Sequence, residues 1–345
     1  MAHHRHAVYL TVCLPIVLKR LLFALTLAVA VLLTGCDDEA APSEATGQGR
    51  IQASPPAQAQ AAPAPAALRT PVAPGMVHTP STGSFYITEN NVTVDTSNIS
   101  SGYVMVRYTG NAARVVIQII GGGSDTTYRY DLNVNGNWEV FPLSEGNGLY
   151  TITVLEHVEG QMFALAMATS FNVTLSDHRL PFLYPNQFVN FNQNSRAVAL
   201  AAELAQGAAT ELDVVRNIYE FVINNIVYDM DFAEAVVGGT VTTHVPDVDA
   251  TLASGRGICF DYASLMAAML RAQHIPARLD IGYVSGGLFH AWISVYTHET
   301  GWIRAIEFSG GDWELMDPTF SAADPTGTAA AFVGGGAGHQ PIFAH

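Results

Sequence analysis

Three residues in the second half of this 345-residue chain have types suited to acyl transfer: Cys259, His290 and Asp317, in that order. A thiolate can attack an acyl carbon, an imidazole can take and return the proton, and a carboxylate can fix the imidazole's tautomer and support its cation. Cys259 lies in GRGICFDYASLMAAMLRAQHIPARLDIGY, where Gly255 and Gly257 precede a predicted buried helix from Ile258 to Ala272. Cysteine in the first turn meets unpaired backbone N–H groups and the positive end of the helix dipole, which favour a thiolate. The same N–H groups suit a developing oxyanion. His290 opens HAWISVY, a segment with strand-like alternation, and Asp317 ends DWELMDPTF, where Pro318 stops the strand. With 301–308 as an intervening strand, an antiparallel arrangement would set His290 beside Asp317.

Spacing alone leaves a second reading open for each residue: a buried small hydrophobe, a satisfied edge-strand histidine and a turn-capping aspartate. Tyr228, in the NIVYD segment, is a candidate second oxyanion donor and equally a core tyrosine. Asp261 reads as a partner of the helix dipole. His157, His244, His274 and His298 lack a context like that of His290.

The cysteines are Cys13, Cys36 and Cys259. Lys19-Arg20 precede the apolar run LLFALTLAVAVLL, followed by Thr34-Gly35-Cys36. A basic segment, a short apolar run and small residues before a cut describe a secretory signal over residues 1–35. The run is shorter than the about 20 residues a transmembrane helix needs. Leu33-Thr34-Gly35-Cys36 resembles a bacterial lipobox, in which Cys36 would become the lipidated first residue. Processing there would remove Cys13 and occupy Cys36, leaving Cys259 without an intramolecular partner in an oxidising compartment. The expected location is the outer face of the cytoplasmic membrane or the periplasm, with membrane lipid held through Cys36.

Formal charge is −15, from 15 basic and 30 acidic residues, and Lys19 is the single lysine. No basic run could neutralise a phosphate backbone, so nucleic-acid binding is excluded as an expectation. No D-x-D-x-D-G calcium loop and no two-cysteine or His-rich cluster points to a metal. The chemistry outlined above needs no cofactor.

Residues 36–83 are rich in Ala, Pro, Gln and Ser and read as an extended, flexible tether. Over 84–177 short alternating runs appear, among them GYVMVRY, ARVVIQII, TYRYDLNV, WEVFPL, LYTITVLEHV and FALAMATSFNV. Gly- and Asn-rich turns separate them, which predicts a small antiparallel sandwich, immunoglobulin-like in outline, serving as a spacer or a recognition module. Residues 178–345 read as the part that carries Cys259, His290 and Asp317, the expected catalytic domain. After the connector Pro181–Asn194, Thr210 and Asp213 resemble a capping box for a helix whose apolar stripe is Leu212, Val215, Ile218, Tyr219, Val222 and Ile226. Helices first and antiparallel strands later indicate an α+β arrangement.

The wording G-x-C-x-D-Y-A-x-L-M-x-A-M-L-R, then I-P-A-R, then H-A-W-I-S-V-Y, then W-x-L-M-D-P-T resembles the bacterial branch of the transglutaminase-like superfamily, from about Arg196 to Phe320. The resemblance implies a papain-like α+β core with Cys259 at a helix N-terminus and His290 and Asp317 on neighbouring strands. It implies thioester chemistry on a glutamine or peptide amide, followed by attack from an amine or from water, with a protein or peptide as substrate. The alternatives are a non-catalytic envelope scaffold that keeps the fold and a cell-wall peptide amidase.

Overall fold

The computed structural model describes residues 69–73, 75–284, 287–298, 301–303, 305–307, 313–315 and 339–345. The signal segment, most of the tether, Cys36 and Asp317 lie outside the described residues.

Residues 86–173 fold as two four-stranded sheets. One has the order β1 (Tyr86–Glu89), β2 (Val92–Asp95), β3 (Tyr103–Tyr108), β6 (Glu139–Pro142). The other has the order β5 (Tyr128–Leu132), β4 (Val115–Ile120), β7 (Gly148–Glu159), β8 (Met162–Val173). Every pairing within them is antiparallel. The runs predicted from alternation are β3 to β8, and the β1–β2 hairpin adds a pair. Its turn residues Asn90 and Asn91 have φ of 42° and 66°, the left-handed conformation that a tight hairpin demands and that asparagine tolerates. Inward residues of both sheets share one core, including Val94, Val106, Ile117, Phe141, Ile152 and Val154. This is a sandwich built on period-2 alternation.

The second half packs helices around a buried central helix. The helices are α1 (Arg196–Leu204), α2 (Glu211–Asn225), α3 (Met230–Val237), α4 (Val248–Ser254) and α5 (Cys259–Ala272). The expected capping box is present: Thr210 Oγ1 accepts the Asp213 N–H at 3.1 Å, and Asp213 Oδ2 accepts the Thr210 N–H at 3.0 Å. Burial opposes the Asp213 charge, but the bonds from Thr210 outweigh it and hold the carboxyl below the usual range. On α2, Val214, Val215, Ile218, Tyr219 and Val222 are buried, close to the predicted stripe.

Every residue of α5 from Asp261 to Ala272 is buried. Helices α1, α2 and α4 cover it on one side, and β11 (Ala277–Val284) and β12 (Leu288–Thr297) on the other. The sheet order is β13 (Gly301–Ile303), β12, β11, β16 (Gln340–Ala344), all antiparallel. Pro341 sits on the edge strand β16, where a missing N–H costs no ladder bond. The segment read as one strand over 301–308 is two: β13 pairs with the far end of β12, and β14 (Ala305–Glu307) pairs with β15 (Trp313–Leu315).

The sandwich and the helical half pack against each other. Phe260 and Phe343 pack against both cores, and Phe188 of the connector is buried in the sandwich core. Phe188 stacks on Tyr130 of β5 at 5.5 Å and meets Phe260 at 5.5 Å. Gly102 lets the connector come close, since a Cβ there would lie 2.6 Å from the Pro181 ring. Arg271, fully buried in α5, donates to the main-chain oxygens of Ala277, Tyr184 and His345. Burial pushes its guanidinium down to about 9, so it remains charged at neutral pH and binds helix, connector and sheet together.

Candidate active site

Cys259 is the first helical residue of α5, behind Ile258, whose backbone is extended at φ −99° and ψ 177°. The thiol is half-buried and not in a disulfide. The approach to it is built by short elements. Gly255, at φ 63°, ends α4 in the left-handed conformation glycine adopts without penalty. The strand β10 (Arg256–Gly257) then pairs in parallel with β9 (Val227–Tyr228), with Val227 N–H on Gly255 O at 2.8 Å and Asp229 N–H on Gly257 O at 2.9 Å. A Cβ on Gly257 would lie 2.6 Å from Asp261 Cβ, so glycine is needed for the next turn to close.

In that turn Asp261 Oδ2 accepts the Ile258 N–H at 2.9 Å. The Asp261 and Tyr262 N–H groups both reach Ile258 O, at 2.9 and 3.1 Å. Helix geometry leaves the N–H groups of Cys259 and Phe260 with no intrahelical acceptor, beside the half-buried thiol. They form the donor pair that an oxyanion would use.

His290 is buried at 5% exposure, the third residue of β12, and lies across from Gly282 of β11. Helix α5 is about 21 Å long. The return run from Ala277, next to its C-terminal end, to Gly282 covers about 17 Å. Ala291, Ile293 and Val295 belong to the core around α5. Alternation then sets His290 on the face it shares with Trp292 and Ser294. Cys259 opens α5, and His290 stands on β12, one of the two strands that pack against that helix.

Tyr228 is half-buried and paired in register with Gly257, two residues before the thiol, with its ring 6.3 Å from that of Tyr262. Tyr262 is a structural tyrosine: its hydroxyl donates to Ile226 O at 2.5 Å, and burial pushes it up to about 12. A contact that sequence reasoning missed lies beside them. His244 Nε2 is 2.6 Å from Asp261 Oδ1. The signal available was Asp261 alone, since nothing in TTHVPD marks its histidine as returning to the helix start.

Residues 198–305 match the family model described as the transglutaminase-like superfamily. That span includes Tyr228, Cys259 and His290. A protein-glutamine gamma-glutamyltransferase of Pseudomonas aeruginosa is 31% identical over 145 residues, covering 38% of this chain. The match spans about a fifth of that relative (19%). Among solved structures, a candidate cysteine protease from Cytophaga hutchinsonii is 15% identical, with a TM-score of 0.31, covering 63% of this chain and 74% of that one. A red sea bream transglutaminase is 13% identical, with a TM-score of 0.24, covering 65% and 48%. Residues 198–305, with the helix of Cys259 near their centre and a β-sheet-rich region before them, form a transglutaminase-like core in an α+β chain.

Proposed function

We propose that this protein is an exported, membrane-anchored enzyme that cleaves or exchanges protein and peptide amide bonds through a thioester on Cys259. The observation that carries the proposal is the place of Cys259, the first residue of a buried helix inside the transglutaminase-like segment.

The Cys259 thiolate attacks the amide carbon, and the N–H groups of Cys259 and Phe260, with Tyr228 as a further donor, receive the negative oxygen. The C–N bond breaks as the leaving nitrogen takes a proton from the His290 imidazolium. Water or a primary amine then attacks the thioester, returns a proton to His290 and frees the thiol. Asp317 orients the imidazole. The mechanism requires the His290 imidazole to reach the Cys259 thiol. The name of the Pseudomonas aeruginosa relative favours glutamine side-chain amides as acyl donors.

Incubation with a glutamine peptide should release ammonia, and none should be released by Cys259→Ala. Incorporation of an added primary amine marks transfer, and conversion to glutamate marks hydrolysis. If neither ammonia nor a new peptide end appears with any protein or peptide offered, the enzymatic reading fails. For the anchor, inhibition of lipoprotein signal processing should leave an unmodified precursor. Normal maturation under that block would remove Cys36 from the account.

A further inference from the structure

The proposed acyl transfer makes no use of the bond between the α3–α4 loop and the start of α5. Asp261 is buried, with its side chain 6% exposed, whereas the His244 side chain is 23% exposed. The two carboxylate oxygens have different partners. Oδ2 accepts the Ile258 N–H at 2.9 Å, and Oδ1 meets His244 Nε2 at 2.6 Å. The imidazole is also held by rings. It stands edge-on to Phe232 of α3 at 4.9 Å and to Phe260 at 6.2 Å. His244 thus touches α3, the carboxylate in the first turn of α5 and the residue that follows the nucleophile. The other charged groups on these elements are Asp231 and Glu234 on α3, Asp247 at the loop's end and Arg271 in the last turn of α5, with the Asp229–Arg256 pair, at 3.3 Å, beside them.

A carboxylate in the first turn competes with a thiolate for the same positive helix end and repels it. Asp261 is two residues from Cys259 and, being buried, is poorly screened by water. A donor on Asp261 Oδ1 draws that charge away from the thiol while leaving the bond from Ile258 to Oδ2 intact. We propose that His244 is a positioning residue for the Cys259 chemistry. It holds the Asp261 carboxylate through Nε2 and fastens the 241–247 loop and α3 against the helix start. The inference rests on the acyl-transfer reading and goes beyond it by assigning a second histidine that does not exchange protons with substrate.

The test uses the full-length protein as wild type, His244→Gln, Asp261→Asn and the double variant. The rate of Cys259 alkylation by iodoacetamide is followed across pH, with the Cys259 peptide quantified by mass spectrometry. In His244→Gln the charged Asp261 loses its partner, and the alkylation midpoint should rise by about one pH unit, a tenfold loss of thiolate at a given lower pH. Asp261→Asn should leave the midpoint at or below the wild-type value. The double variant should return to the wild-type midpoint, because the uncompensated charge is gone. A merely structural contact would leave the double variant as impaired as the single one. An unmoved midpoint in folded His244→Gln, or no recovery in the double variant, overturns the proposal. If His244→Gln does not fold, Asp261→Asn decides: a raised midpoint overturns the proposal. A wild-type midpoint near the free-thiol value of about 8.5 would instead sink the acyl-transfer reading itself.

Discussion

The sandwich and the core around α5 bury side chains by opposite rules. In β7 burial alternates residue by residue, as Tyr150, Ile152 and Val154 turn inward and their neighbours do not. In α5 every position after the first two is buried, including Asp261, Ser264 and Arg271. A half-buried strand can carry polar residues on its free face at no cost. An enclosed helix must satisfy each polar group inside the protein. It does so with Ser264 Oγ on Phe188 O at 2.6 Å, Tyr262 on Ile226 O, and Arg271 on three main-chain oxygens. Only the N-terminal end of α5 reaches solvent, and there stands Cys259. The sandwich supplies packing, and the enclosed helix supplies a rigid mount for its one solvent-facing end.

The contrast is sharpest at Phe188, which is buried in the sandwich core and meets Phe260 of α5. Phe188→Ala should remove the stack between Tyr130 and Phe260 and cost about 3–5 kcal/mol. Calorimetry should show one transition moving down. Two separate transitions would mean that the sandwich and the helical core unfold independently. Next in size, Ile117→Ala in the sandwich and Leu265→Ala in α5 should each cost about 2–5 kcal/mol, since both side chains are fully buried. Both should lower the same transition, and a change that left half the signal untouched would break the picture of one cooperative body. Smallest is Thr210→Ala, which removes the cap of α2 and should cost about 1 kcal/mol. Because Asp213 has its carboxyl held low by that cap, its contribution is complete above the unfolded value near 3.8 and is lost as pH falls through the lower, folded value. The gap in urea midpoint between wild type and Thr210→Ala should therefore narrow from pH 7 to acid, leaving the part due to the Asp213 N–H bond.

The same contrast explains what could be read from residues alone. Strands β3 to β8 show because alternation and glycine turns are local signals. The start of α5 shows because glycines, a first-turn cysteine and Asp261 stand in one short segment. Helix α4 was equally legible in principle: Asp247 caps it by accepting the Asp249 and Ala250 N–H groups, and Gly255 ends it. Its seven residues were too few for an apolar period to show. Helix α3 has no buried residue at all, so no stripe marks it. The pairing of β16 with β11 and the reach of His244 to Asp261 are long-range, and composition does not encode them. Nor does it encode the fusion of the sandwich to the helical core through Phe188 and Phe260, because either aromatic reads as ordinary core.

The central claim is that Cys259 is an activated nucleophile served by His290. It is tested most directly by the pH dependence of Cys259 alkylation in the full-length protein and in His290→Ala. The account predicts fast alkylation of wild type well below pH 8, and clear slowing at that pH when His290 is removed. A slow thiol with a midpoint near about 8.5, unchanged by His290→Ala, would contradict it.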